Sequence, residues 1–345
     1  MQEWSFRDSI RRKWRNRRWS VRRGYGKMSR LRELREGIVL KGGLMALVVL
    51  LSFTLGAYFA VSVRAVVYAG LSLRENSVGC LVQAFGLGRR MSLMESETQR
   101  QLARARLLRS DDPGFQLWDT DQGHFWLTAN AGIRLLAPSL ADQKLNLYGE
   151  GEWGVRPGDV VLDCGAAFGV FTKKALQSGA RLVVAVEPQP ELVECLRRTF
   201  SKDIDQRRVI VWPTGVWDRE DQLELTVPEN TPTGGTLVLG REGLVRNRSV
   251  RLMPIDRLVG ELNLPRVDFI KMDIEGAEKK ALAGAAGTLR KHRPRLAICS
   301  YHLPEDPVLI PKRVRELQAS YRVKCGRCEL DLNRRRFTPT VLHFY

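Results

Sequence analysis

Four polar side chains, Asp163, Glu187, Asp273 and His302, each stand directly after a short run dominated by apolar residues, at 160–162, 182–186, 269–272 and 296–301. Runs of that length bounded by turn residues read as buried strands. In an open parallel sheet the carboxyl ends of such strands are the rim that meets ligands. Three carboxylates and an imidazole gathered on one rim can accept hydrogen bonds from ribose or acceptor hydroxyls, and can take up or relay a proton. Lys271 interrupts the third run, and a cation inside a central strand demands a partner.

The turn after the first run reads D-C-G-A-A-F-G (163–169) and leads into a helical pattern over 170–177. Gly165 and Gly169 let backbone approach where a Cβ would collide. Glu187 follows eighteen residues after Gly169, where a doubly wound sheet places an acid for ribose hydroxyls. A dinucleotide fingerprint, G-x-G-x-x-G, needs a middle glycine to make room for pyrophosphate. Here that glycine is missing, and Asp163 would repel a diphosphate while suiting a cationic amino-acid moiety. These features favour S-adenosylmethionine over NAD, with Asp163, Gly165, Gly169 and Glu187 as its contacts. An ordinary strand-to-helix turn with no ligand is the plainer alternative.

The second constellation is D-F-I-K-M-D-I-E-G-A-E (268–278), a strand ending in Asp273, Glu275 and Glu278, with Gly276 for a tight turn before an Ala-rich helix over 278–289. Glu275 and Glu278 have a simple account as acids favouring a helix N-terminus. Asp273 has no such account. It and His302 are read as the substrate end, Asp273 orienting a hydroxyl and His302 acting as general base. A divalent cation bridging Asp273 and Glu275 is conceivable from their oxygen ligands, but no metal is assigned.

These runs together carry a family resemblance. G-D-V-V-L-D-C-G-A-A-F-G-V-F-T (158–172), V-E-P (186–188), I-D-R-L (255–258), D-F-I-K-M-D-I-E-G-A-E (268–278) and R-P-R-L-A-I-C-S-Y-H-L-P-E-D (293–306) resemble an FkbM-type S-adenosylmethionine-dependent methyltransferase. The resemblance covers about residues 115–345 and departs from the family's usual pattern at Cys164 and Ala166-Ala167. It implies the class I methyltransferase fold, a doubly wound, mostly parallel Rossmann-like α/β sheet, and methyl transfer to a hydroxyl oxygen of a sugar, lipid-linked or secondary-metabolite acceptor. An NAD-dependent oxidoreductase on the same sheet and a non-catalytic membrane adaptor are the rival classes.

A chain of 345 residues with 44% hydrophobic content exceeds one typical domain. Its charge is uneven: residues 1–41 hold 14 Lys+Arg against 4 Asp+Glu, which is +10 of the total +18. Tryptophans in this arm suggest nucleic-acid stacking, but the next segment argues for lipid. Residues 42–63 are 22 uncharged residues, about 33 Å of helix and enough to span a hydrocarbon core. The expected organisation is a basic arm (1–41) meeting anionic lipid, a transmembrane helix (42–63), a membrane-proximal linker and helical segment (64–114) and the catalytic domain (115–345), with nucleic acid an unlikely partner. Positions 22–41 carry 7 Lys+Arg and positions 64–83 carry 2, which places the N-terminus in the cytoplasm. A single-pass anchor would then export the enzyme, whereas the donor is cytosolic; the catalytic domain is expected in the cytoplasm.

Within the linker, 94–109 reads as a helix stopped by Asp111-Asp112-Pro113-Gly114. Residues 115–118 and 124–127 read as a hairpin whose aromatics, with Tyr148 and Trp153, either cap a pocket or belong to the core. Cys325 and Cys328 form a lone C-G-R-C pair, half of a zinc site at most. The other four cysteines look like core residues, consistent with a reducing compartment.

Overall fold

The computed structural model describes residues 87–111, 114–228, 233, 235–238, 245–331 and 336–345. The basic arm, the expected transmembrane helix at 42–63, most of the linker before residue 87 and the Asp112-Pro113 stop lie outside the described residues. Among the described residues no helix is long and apolar enough to cross a membrane.

Helix α1 (Leu87–Arg104) leads into strands β1 (Arg106–Asp111), β2 (Phe115–Thr120) and β3 (Gly123–Thr128), an antiparallel sheet in that order, followed by helix α2 (Gly132–Lys144). The helix expected at 94–109 therefore starts earlier and ends at Arg104. Its charged tail is helix-compatible in composition, but it adds to the open edge of β2, with Arg106 opposite Asp119 and Asp111 opposite Phe115. The hairpin forms as expected. Thr120 Oγ1 donates to Gly123 O (2.7 Å) across its turn, and Phe125 and Leu127 alternate inward, both fully buried. They pack with Leu136, Leu140, Phe168, Val170 and Leu192, so this layer braces the loop that carries Phe168.

Next come β4 (Val160–Cys164), α3 (Val170–Gln177), β5 (Leu182–Val186), α4 (Pro190–Thr199), α5 (Ser201–Asp205) and β6 (Val209–Trp212). Strands β7 (Gly215–Val216), β8 (Asp221–Pro228) and β9 (Val245–Met253) make a small three-stranded sheet. The chain continues through α6 (Ile255–Glu261), β10 (Phe269–Met272), α7 (Glu278–Ala283), α8 (Ala286–His292), β11 (Arg295–Cys299), α9 (Asp306–Leu317), β12 (Val323–Cys325), the hairpin β13 (Cys328–Asp331) and β14 (Arg336–Pro339), and β15 (Val341–Phe344). The helix expected over 278–289 is thus two helices. They part at Gly284, where a Cβ would stand 2.0 Å from the Trp217 carbonyl oxygen.

The main sheet has seven strands in the order β12-β15-β11-β10-β4-β5-β6. The five from β11 to β6 are parallel, and β15 runs antiparallel to both β11 and β12. Every residue of β4 and β10 is buried, as expected for central strands covered by helices on both faces. The chain winds outward from β4 through β5 to β6, then returns to place β10 on the other side of β4. The topological switch point, the place where such sheets bind ligands, therefore lies between the ends of β4 and β10.

Candidate active site

At the switch point Asp273 N–H donates to Cys164 O (3.2 Å), tying the end of β10 to the end of β4. Gly165 follows with φ 78°, and a Cβ there would meet the Asp273 carbonyl oxygen at 2.0 Å. The glycine serves this backbone crossing. Above it opens a cavity of about 340 Å³, a size suited to a small ligand. Its wall includes Gly165–Phe168, Glu187, Lys271, Asp273, Glu275, Asp142, Tyr148 and Tyr301. Two non-glycine residues of this wall hold positive φ, Ala167 at 47° and Glu275 at 54°, a strain that persists where surrounding structure enforces it.

Glu187 lies just beyond β5 and is 4% exposed. Its Oε2 accepts from Ala167 N–H (3.0 Å) and its Oε1 from Gln189 N–H (3.0 Å). Burial pushes its pKa up to about 7, against the pull of those two amides. Held this way, Glu187 stands in the cavity wall.

Asp163 and Gly169, the other two expected cofactor contacts, stand behind the wall. Asp163 is fully buried; its Oδ2 accepts from Thr172 Oγ1 (2.6 Å) and its Oδ1 pairs with Lys271 Nζ at 3.2 Å. This is the partner that a lysine inside a central strand requires. Lys271 also donates to Gly165 O (2.7 Å). Burial opposes its charge, but Asp163 and Asp273 outweigh burial and raise its pKa above the ordinary value. Gly169, at φ 81°, begins α3; a Cβ there would strike the Phe200 ring at 2.3 Å. Its task is helix packing.

Asp273 and His302 do come together. Tyr148 Oη donates to Asp273 Oδ2 (2.7 Å), and His302 Nε2 lies 3.5 Å from Asp273 Oδ1 and 3.9 Å from Glu275 Oε2. The other ring nitrogen, Nδ1, is 2.9 Å from Glu278 Oε1. Glu278 Oε1 in turn accepts from Ile274 N–H (3.0 Å), so this acid both closes the turn after β10 and seats the histidine. Burial lowers the His302 pKa, but the bond to Glu278 and the charges of Glu278, Asp273 and Glu275 reverse this and carry it up to about 9. The ring is therefore a cation at neutral pH. Burial would raise the Asp273 pKa, yet Lys271 and His302 overcome it and hold the carboxyl below its ordinary value.

One wall residue carries no readable role in the sequence. Asp142 on α2 was invisible because only the docking of α2 brings it to the cavity, where Arg327 holds it at 2.7 Å. Tyr148, for which the sequence left a pocket cap and a core position open, lines the cavity. Trp153, grouped with it, packs instead against Tyr345 and Lys324. The C-G-R-C pair is divided: Cys328 is disulfide-bonded and Cys325 keeps its thiol. Among the described residues no group of three or more His, Cys, Asp or Glu is disposed to hold a metal. Cys164, Cys195 and Cys299 are core residues, as expected.

Strand order, switch point and cavity define a methyltransferase-like α/β fold with a mostly parallel central sheet. Residues 163–322 match the Methyltransferase FkbM domain. Among solved structures it is similar to methyltransferase FkbM from Methylobacillus flagellatus KT, at 19% identity and a TM-score of 0.40 over 75% of this chain and 59% of that one. It is also similar to Trm5b from Pyrococcus abyssi (13%, TM-score 0.35, 70% and 55% of the two chains). A third similar structure is the M. jannaschii tRNA m1G37 methyltransferase (13%, TM-score 0.37, 69% and 56%). In each case the match spans less than two thirds of the other protein's length. Comparison with curated proteins finds no match.

Proposed function

We propose that this protein is an S-adenosylmethionine-dependent O-methyltransferase, acting on a hydroxyl of a sugar, lipid-linked or secondary-metabolite acceptor. The observation that carries the reading is that Glu187 and Asp273 face one cavity across the switch point. The fit to the cofactor rests on the chain itself: a buried acid fixed by two backbone amides for ribose, beside a glycine-bearing loop after β4. The Ala167 N–H, which a dinucleotide loop would turn toward pyrophosphate, is committed to Glu187, and this counts against NAD.

Bound there, S-adenosylmethionine supplies a methyl group on a cationic sulfur, already electrophilic. The protein has to align a hydroxyl oxygen with that methyl and accept its proton. Asp273 is suited to both tasks. Tyr148 fixes one carboxylate oxygen, the other lies beside the His302 ring, and Lys271 together with His302 keeps the group ionised. The base and orienter roles expected for His302 and Asp273 are thus merged on Asp273, with His302 as its positioning residue. The new bond is oxygen to methyl carbon, the bond broken is methyl carbon to sulfur, and the hydroxyl proton passes to Asp273. This arrangement favours an enzyme over an adaptor. The test is incubation of the detergent-solubilised full chain with methyl-labelled donor and fractionated lysate: label recovered in an ether supports the proposal, and label on nitrogen or carbon, or no transfer, overturns it.

We also infer that residues 42–63 anchor the protein, with the basic arm on anionic lipid and the catalytic domain on the cytoplasmic side, where the donor is made. The charge bias and the Cys328 disulfide pull the other way. Protease added to intact and to permeabilised cells decides between them: cleavage of the C-terminal domain in intact cells reverses the orientation.

A further inference from the structure

The turn that follows β10 has a backbone its sequence does not favour. It is closed by Ala277 N–H to Ile274 O (3.2 Å), and both of its central residues hold positive φ, Glu275 at 54° and Gly276 at 97°. Turns of that hand take Asn, Asp or Gly at the first central position. A glutamate there is strained, and such strain persists where surrounding structure over-determines the backbone. The same turn decides where the Glu275 carboxylate stands, in the cavity wall with Oε2 3.9 Å from His302 Nε2.

The hold on this turn comes from Thr236, 39 positions earlier in the chain. Its Oγ1 donates to Glu275 O (2.8 Å) and accepts from Val238 N–H (3.1 Å). Thr236 is 1% exposed, and its backbone N–H and C=O both pair with Thr226 of β8, each at 2.9 Å. A threonine bridged in both directions offers its hydroxyl in one place. Beside it Gly235 packs so closely that a Cβ would stand 2.8 Å from Gln189 Nε2 and 3.0 Å from the Leu225 side chain. Thr233, Gly235 and Leu237 line the cavity, so this stretch forms the wall that runs from Gln189 to the Glu275 turn.

Resting on the methyltransferase reading, we propose that Thr236 is a positioning residue of the acceptor end: its hydroxyl holds the left-handed Glu275 backbone and thereby keeps the Glu275 carboxylate beside the His302–Asp273 pair. The groups facing His302 are Glu278 at Nδ1, Asp273 and Glu275 at Nε2, and the Tyr301 ring. Glu278 and Asp273 have anchors of their own, Ile274 N–H and Tyr148 Oη. The anchor of the Glu275 backbone is Thr236. All three acids favour the protonated ring, and that ring helps to keep Asp273 ionised, so a displaced Glu275 loosens the proton on His302.

The test follows the titration of His302 by NMR in the detergent-solubilised full chain with labelled histidine, the signal being assigned by substitution among the four histidines of the sequence. Thr236→Val keeps the shape and loses the hydroxyl; it and Thr236→Ala should each make His302 titrate at lower pH than in the unaltered protein, and Thr236→Ser should restore it. Affinity for S-adenosylhomocysteine should stay within about twofold. Transfer of label from the donor to fractionated lysate should fall about tenfold or more in the valine and alanine variants, as for a small misplacement of a reacting group. Glu275→Ala should also lower the titration of His302, and Thr236→Val added to it should change nothing further, because one side chain acts through the other. Unchanged titration in Glu275→Ala or in both hydroxyl-free variants, no recovery with serine, or additive shifts in the double variant would overturn the proposal. Loss of cofactor affinity in the Thr236 variants would place the residue at the cofactor end and overturn it too. Failure of the unaltered protein to bind S-adenosylhomocysteine is a separate result, which strikes the methyltransferase reading and the acceptor-end role of Thr236 with it.

Discussion

His302 Nδ1 lies 2.9 Å from Glu278 Oε1, and the two side chains are 3% and 0% exposed. A histidine shut in beside a carboxylate is held as a cation, and here that cation faces Asp273. The pair links the turn after β10 to the end of β11, so the electrostatics of the acceptor end depend on two separate strand ends meeting.

The first prediction concerns pH. The His302 pKa is raised from 6.5 to about 9. A raised basic group contributes stability that is fully present below its unfolded pKa and is lost as pH rises through the folded one. The stability it contributes should therefore fall steadily between about pH 6.5 and pH 9, turnover, which follows the protonated ring, should fall through pH 9, and Glu278→Gln should move the fall in turnover to lower pH. Thermal unfolding and kcat across pH check this. A rate that instead climbs through pH 9 would return the role of base to neutral His302.

Asp273→Asn keeps the size of the side chain and its contact with Tyr148 while removing the charge. Turnover should drop by about 10² or more, as for loss of a positioned proton acceptor, with S-adenosylhomocysteine affinity near normal. Retention of full activity on the true acceptor would show that Asp273 is not the acceptor of the proton.

At the ribose end, the ionised form of Glu187 is the better acceptor, and its pKa is about 7. Affinity for S-adenosylhomocysteine should weaken as pH falls through 7, and Glu187→Gln should flatten that dependence. Glu187→Ala should cost about 1–3 kcal/mol of binding, the penalty for leaving a polar ligand group unmet. Calorimetry with S-adenosylhomocysteine, and with NAD as the ligand expected not to bind, gives both answers.

The Asp163–Lys271 pair is a matter of stability. Lys271→Met strands a fully buried carboxylate and should cost about 3–5 kcal/mol, whereas adding Asp163→Leu should recover most of the loss because both charges are then gone. Denaturant unfolding of the single and double variants reads this directly. An additive loss in the double variant would mean that the two side chains do not act as a pair.

Much of this site was legible in the chain because its signals are local. Apolar runs at 160–162, 182–186, 269–272 and 296–301 each end in a polar residue, and strand periodicity with a ligand rim follows from such a pattern without knowledge of neighbours. That was enough to anticipate a doubly wound sheet and to bring Glu187, Asp273 and His302 to one side of it. Element boundaries are less secure where composition suits two states: residues 106–109 have helix-like charge, and the open edge of β2 makes them a strand instead.

What the sequence could not decide was where each side chain points once strands pair. Asp163 and Lys271 are 108 positions apart yet lie opposite each other in the register of β4 and β10, and that alignment converts an expected cofactor contact into the partner of a buried lysine. Asp142 and Tyr148 reach the cavity through the packing of α2 and the segment after it, and the His302 charge state comes from Glu278 across another turn. The sequence by itself determined which residues end the strands, through a period that is local; only the tertiary structure decided which of them face ligand and with what charge, because burial and neighbouring charges are set by segments far apart in the chain.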